Sequence, residues 1–164
     1  MASIINVDQI AEATSGSGVK IPGHVVQVVT TTGTGTSNST ASSWVASPVV
    51  LSITPKNTSS LILGVACIPV WRSATAAYFG VRVVNSGGNT NTVATYGDGY
   101  AAVSAIAWLA TYRFSYTAGT TSSVTSTFQY YANGGGTYFP NNASAFQSDT
   151  GYQRFHFTLM EIAQ

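Results

Sequence analysis

Charge is what this sequence most lacks. Asp, Glu, Lys and Arg make up 7% of its 164 residues, against about 25% in an average domain. Six basic residues nearly cancel five acidic ones, leaving a formal net charge of +1. The basic residues Lys20, Lys56, Arg72, Arg82, Arg113 and Arg154 are scattered singly, so no basic stripe exists to neutralise phosphates. Neither nucleic acid nor an anionic membrane surface is expected as a partner. The single cysteine, Cys67, excludes an internal disulfide. Set in an apolar run, it reads as a small buried hydrophobe and not as a reactive thiol. No stretch approaches the roughly 20 apolar residues of a membrane span, so no membrane insertion is expected. The start, Met1 to Asp8, lacks the charged opening and apolar core of a signal peptide, and synthesis and assembly in a cytoplasm are expected.

What is present is apolar and β-prone. Hydrophobic residues reach 45% and aromatics 12%, enough for one domain with a real core. The polar surface falls to Ser, Thr, Asn, Gly and backbone, while Thr, Val and Tyr favour strands. Residues 1–22 read as an arm apart from the domain at 23–164. Ile4, Ile5, Val7 and Ile10 form an apolar patch too short to be a core, and Ser15-Gly-Ser-Gly18 is a flexible link before Ile21-Pro-Gly23. Such an arm gains stability by packing on something else.

Period-two alternation marks the strands. His24 to Thr31 is apolar on both faces and is therefore expected to be central or covered. Trp44 to Thr54 has Val45, Val49, Leu51 and Ile53 on one face, an irregular start at Pro48 and a stop at Pro55. Leu61 to Trp71 is the most apolar run; its β-branched residues with Gly64 and Pro69 argue for a strand buried on both faces. Ala77, Phe79, Val81 and Val83 alternate with Tyr78, Arg82 and Val84. Thr92 to Tyr96 is a short strand ended by a Gly97-Asp-Gly99 turn. The alanines of Tyr100 to Ala110 allow a helix, but Trp108, Tyr112, Phe114 and Tyr116 form an every-other-residue aromatic ladder that favours strand for its later half. Val124, Phe128 and Tyr130 repeat the pattern, Tyr138-Phe139 is a stub, and Gln153 to Ile162 closes the chain with Phe155, Phe157 and Leu159 on one face.

Eight or nine short strands without a convincing helix predict an all-β fold, a two-sheet antiparallel β-sandwich of jelly-roll type. An apolar strand at the very end has to slot between strands made earlier. The aromatics exceed what one sandwich is expected to bury, and association into a closed oligomer would cover the remainder.

Three pieces carry a resemblance. They are Ile21-Pro-Gly-His-Val-Val-Gln-Val28 after the Asn6 to Ile10 arm, Ser52 to Leu63, and Tyr116 to Thr125 leading to Asn133-Gly-Gly-Gly136 and Thr158 to Ile162. With these the chain resembles the C-terminal fibre or receptor-binding domains of tailed bacteriophages, especially those infecting marine and cyanobacterial hosts. The resemblance implies a virion protein, a homotrimer of β-sandwiches, bound to other virion proteins on tail or capsid through residues 1–22 and adhering to a host-surface glycan. A trimeric capsid decoration or head-fibre protein, acting as cement, is the alternative.

No catalytic constellation stands out, and no enzyme, cofactor or metal is expected. Hydrolysis of a glycan needs two carboxyl groups about 5–9 Å apart, and the only acids are Asp8, Glu12, Asp98, Asp149 and Glu161. His24 and His156 on the first and last strands would form an ion-binding ring only across a threefold axis. The candidate receptor site is aromatic. Trp71 with Arg72, Tyr96 and Tyr100 around Asp98, and Tyr138 lie near turns, where rings stack on sugar faces while neighbouring polar groups bond the hydroxyls.

Overall fold

Alternating β-branched and aromatic residues favour extended structure, and the computed structural model is built from strands. It describes residues 21–35, 37–39, 43–72, 77–86, 92–101, 106–133, 137–140 and 154–164, with residues 38, 39, 72, 77, 78, 92–101, 106, 107, 132, 133, 137 and 138 described by their backbone alone. Among these lie ten strands: β1 (Val25–Gly33), β2 (Asn38–Ser39), β3 (Val45–Ile53), β4 (Leu61–Arg72), β5 (Ala77–Asn85), β6 (Thr92–Ala101), β7 (Ile106–Thr117), β8 (Val124–Asn133), β9 (Thr137–Tyr138) and β10 (Phe155–Ile162). No helix occurs among the described residues.

The pairing is nested. β5 pairs with β6, β4 with β7, β3 with β8 and β1 with β10, all antiparallel. The first half of the chain thus runs as a ribbon against the second half. That ribbon rolls up so that successive pairs fall in alternate sheets, and two further pairings, β10 with β4 and β8 with β5, knit each sheet together. One sheet has the order β1-β10-β4-β7 and the other β3-β8-β5-β6. Short β2 and β9 pair with each other, and β9 continues the first sheet along β4 at Trp71 and Arg72. This is jelly-roll connectivity.

The inner faces meet in an aromatic core. Phe157 lies 5.2 Å from Phe128 and 6.0 Å from Phe114, and Phe139 joins Tyr130, Phe128 and Phe79. Each fully buried aliphatic or aromatic side chain contributes roughly 1.5–3 kcal/mol, and each ring pair about 0.5–1.5 more. β10 follows its alternation: Phe155, Phe157, Leu159 and Glu161 are buried, while the residues between them are not.

Four sequence expectations need correction. Among the described residues β1 is an edge strand, bonded to β10 alone, and Val25 and Val28 are 44% and 56% exposed; adjacent valines do not by themselves make a strand central. β4 is buried on both faces only at Ile68, Pro69 and Val70; before that, Leu61, Leu63, Val65 and Cys67 on its outer face are half-buried. Gly97, Asp98 and Gly99 do not turn but continue β6, with Gly97 paired to Gly80 and Asp98 to Phe79; a partner strand overrides turn propensity. The β2–β9 pair falls in stretches read as loop or stub. The expected surplus of aromatics falls partly outside the described side chains, which do not include Tyr78, Tyr96, Tyr100, Tyr138, Phe146 and Tyr152. Phe79, Tyr112, Phe114, Tyr116, Phe128, Tyr130, Phe139, Phe155 and Phe157 are buried within one subunit, and Trp44, Trp71, Trp108 and Tyr131 are half-buried. The exposed large apolar residues are aliphatic instead.

Two contacts fix the register. Glu161, fully buried at the end of β10, accepts hydrogen bonds from the Gln27 side-chain amide at 2.6 Å and from the Lys56 and Asn57 backbone N–H groups at 2.8 and 3.2 Å. The same Gln27 amide also donates to the Thr54 carbonyl at 2.7 Å. One carboxyl group thereby joins β1, β10 and the β3–β4 turn. On β4, Gly64 stands between Phe114 and Leu159, and a Cβ there would run into the Phe114 ring.

Glu161→Ala leaves the part-buried Lys56 and Asn57 N–H groups without their acceptor, and is expected to lower unfolding free energy by about 2–3 kcal/mol in urea titrations, with Glu161→Gln costing less because one oxygen remains. Gly64→Ala is expected to cost about 1–3 kcal/mol through overpacking, and Phe114→Leu in the same chain to recover part of it. Additive losses in that pair would show that the ring does not rest on Gly64.

Candidate functional site

The roll gives the molecule two unlike ends. At one, Val25, Ile162, Leu61 and Thr117 lie in register across the first sheet, and Gly23 donates to the Ala163 carbonyl at 2.8 Å. The chain from residues 1–20 therefore joins the sandwich here. At the other end β4 finishes at Trp71 and Arg72, roughly 35 Å away along a strand of this length.

The sequence-derived site residues divide between the two sheets. Trp71, half-buried, pairs with Ala107 and with Tyr138, and Arg72 pairs with Ile106 and Thr137. That register brings Trp71, Arg72 and Tyr138 together at the far end of the first sheet. Tyr96, Asp98 and Tyr100 lie on β6 in the second sheet, Tyr96 paired with Val81 and Asp98 with Phe79. The six do not form one constellation. Ile4, Ile5, Val7 and Ile10 lie outside the described residues, as do Asp8, Glu12 and Asp149.

The remaining titratable candidates disperse too. Glu161 is a structural acid at the arm end. His24 and His156 are both exposed, but His156 pairs with Thr32 and Cys67, whereas His24 precedes Val25, the partner of Ile162. His24 lies at the level of Ala163, so seven strand positions, roughly 23 Å, separate the two. Among the described residues no three His, Cys, Asp or Glu side chains come together as a metal site, and no helix is long and apolar enough to cross a membrane.

A different cluster emerges on the outer face of the second sheet. Trp44, just before β3, has the Arg82 guanidinium carbon 4.5 Å from its ring centroid and Tyr131 at 5.8 Å. The Arg82 Nε donates to the Gln129 side-chain oxygen at 2.7 Å. All four side chains are half-buried. Alternation alone separates Gln129 and Tyr131 from buried Phe128 and Tyr130, and Arg82 from Val81 and Val83. What sequence does not supply is the β3-β8-β5 register that sets Trp44 beside Arg82.

Behind this face lie two buried tyrosines whose acidity is suppressed. Burial pushes the Tyr130 phenol up, offset in part by its hydrogen bond with Ser37 at 2.9 Å. Burial likewise raises Tyr116, and the nearby Ser126 offsets this only partly, because the Ser126 hydroxyl donates to Asn85 Oδ1 at 2.8 Å. The Tyr116 hydroxyl is left without a partner of good geometry.

The fold thus defines the chain as a two-sheet antiparallel jelly roll. No protein-family model matches it, and no curated protein matches it. Among solved structures, it is similar to the VP2 subviral particle of infectious bursal disease virus (TM-score 0.45, 11% identity, covering 84% of this chain and 37% of that one). It is also similar to T=1 particles derived from that virus (TM-score 0.42, 13% identity, 100% and 41%) and to its T13 viral particle (TM-score 0.41, 15% identity, 99% and 40%). The chain spans about two-fifths of the length of those chains.

The tyrosines set an alkaline limit. Because their folded acidities lie above the ordinary value near 10, the folded state holds protons that the unfolded chain releases. That stability is complete below about pH 10 and is lost as pH rises through the folded values. Melting temperature is expected to be flat from pH 7 to 9 and to fall above about pH 10. Tyr116→Phe should soften that fall without loss at pH 7, while Tyr130→Phe should cost about 1 kcal/mol there with the Ser37 bond. A large neutral-pH loss for Tyr116→Phe would mean that its hydroxyl is bonded.

Proposed function

We propose that this chain is a non-enzymatic bacteriophage virion protein, a homotrimer of jelly rolls that binds the particle through residues 1–22 and turns its far end towards host-surface glycans. The observation that carries this reading is the polarity of the roll. The arm enters at one end, and Trp71, Arg72 and Tyr138 gather at the other. An adhesin needs that separation, since the surface that grips the particle must not be the one that meets the host. The resemblance of Ile21 to Val28, Ser52 to Leu63 and Tyr116 to Thr125 to phage fibre domains supports the same reading.

Contact between copies is assigned to the outer face of the first sheet. There Val28, Met160 and Leu63 lie in one row across β1, β10 and β4, next to Val25, Ile162 and Leu61. Val28 is 56% exposed, and Met160 and Leu63 are half-buried. An apolar row crossing three strands on a surface this poor in charge favours association. The same row favours a second reading, a decoration protein whose apolar face adheres to a capsid lattice.

Removal of residues 1–20 separates these readings. For the adhesin, the truncated chain keeps its oligomeric mass and binds host cells but no longer joins particles. Particles that burst without the protein, together with host adsorption unchanged by its loss, would support cement instead. Val28→Asp is expected to reduce the light-scattering mass from trimer to monomer while leaving the melting temperature within a few degrees. A wild-type chain that is already monomeric at micromolar concentration would overturn the trimer.

A further inference from the structure

The Trp44, Arg82, Gln129 and Tyr131 cluster is built more carefully than a packing contact needs to be. Arg82 is the one charged side chain described on the outer face of β3, β8 and β5, and it is held from two sides, by the Trp44 ring and by the Gln129 oxygen. Its Nε is used, but its two terminal amino groups have no hydrogen-bond partner and no carboxylate among the described residues. A guanidinium fixed this way has lost its freedom before any ligand arrives, and its remaining donors form the planar fork that fits a carboxylate. Next to it the sheet is bare. Gly80 pairs with Tyr131 on one side and with Gly97 on the other, so two neighbouring strands carry no side chain there. Glycine inside a strand accompanies a bulge or bend, or leaves room for a ligand or another backbone to approach closely; here a register shift lies beside it, between Ala77 and Phe79.

We propose that this face binds an acidic saccharide. A pyranose ring lies over the Gly80–Gly97 strip with its C–H face against Tyr131, its carboxylate accepts from the Arg82 terminal amino groups, and a ring hydroxyl donates to the Gln129 oxygen or accepts from its amide. The site lies towards the far end of the roll, since β8 ends at Asn133 and β3 begins at Val45. It is distinct from the Trp71, Arg72 and Tyr138 group on the other sheet. The inference rests on the host-glycan reading above and gives it a ligand class and an address. A nucleic acid partner would need more than one arginine. A second copy of the chain finds its apolar surface on the opposite sheet.

Tetragalacturonate and its neutral counterpart, a galactose tetrasaccharide, are suitable probes in isothermal titration with the full chain. The acidic sugar is expected to bind at least tenfold more tightly than the neutral one. Arg82→Gln should remove that preference, Arg82→Lys should retain part of it, and Tyr131→Ala should weaken both sugars at least tenfold, each with an unchanged melting temperature. Acidic-sugar binding or host-cell adhesion unaffected by Arg82→Gln and Tyr131→Ala would overturn this site while leaving the adhesin reading intact. A wild-type chain that binds neither the sugars nor host cells would overturn both. A change in light-scattering mass for Arg82→Gln would make the face a subunit contact and equally end the proposal.

Discussion

The seat of β10 between β1 and β4 is the constraint on which the rest of this structure depends. The first sheet has no continuous hydrogen-bond ladder until the last strand of the chain arrives, and both its neighbours are made long before it. Phe157 and Leu159 then complete the inner surface against Phe128 and Phe114. Closing so long a loop costs entropy before any of those contacts repay it, so partial structures gain little. The buried Glu161 sharpens this. Its carboxyl is satisfied only when Gln27 from β1 and the N–H groups of Lys56 and Asn57 converge on it, and a slip by one residue would turn it outward and strand those donors.

Much of the fold could be read from side-chain alternation. The aromatic ladder of β7, the β8 pattern, the irregularity near Pro48 and the insertion of the closing strand all follow from period two and the sense of each residue's face. Where reading failed, the missing quantity was the neighbour. β1 looks central because its valines are consecutive, yet among the described residues it has a partner on one side only. Gly97-Asp98-Gly99 has turn composition, yet β5 offers it a ladder, and extended backbone costs glycine no strain. The β2–β9 pair, two residues long on each side, carries no periodic signal at all.

The candidate sites repeat that lesson. Residues chosen for proximity to turns, Trp71, Arg72, Tyr96, Asp98, Tyr100 and Tyr138, were separated onto two sheets because a jelly roll sends successive segments to alternate layers. The Trp44 and Arg82 contact joins positions far apart in sequence through two strand pairings, and nothing in either local segment announces it. The association argument shifts for the same reason. Counting aromatics suggests a surplus, but among the described side chains nine are buried between the sheets, and the exposed large apolar residues are Ile21, Val25, Val28, Val50 and Leu109.

Architecture alone does not choose a role, since jelly rolls serve both as capsid and as lectin domains. The two outer faces nonetheless have different chemistry. Across β1, β10 and β4 the middle row is Val28, Met160 and Leu63, which water penalises and another apolar surface relieves. Across β3, β8 and β5 the described surface carries Trp44, Gln129, Tyr131 and Arg82, together with the exposed Val50, and is the more polar of the two. With charge at 7% of the chain, a single fixed guanidinium is a large local feature and not one of many.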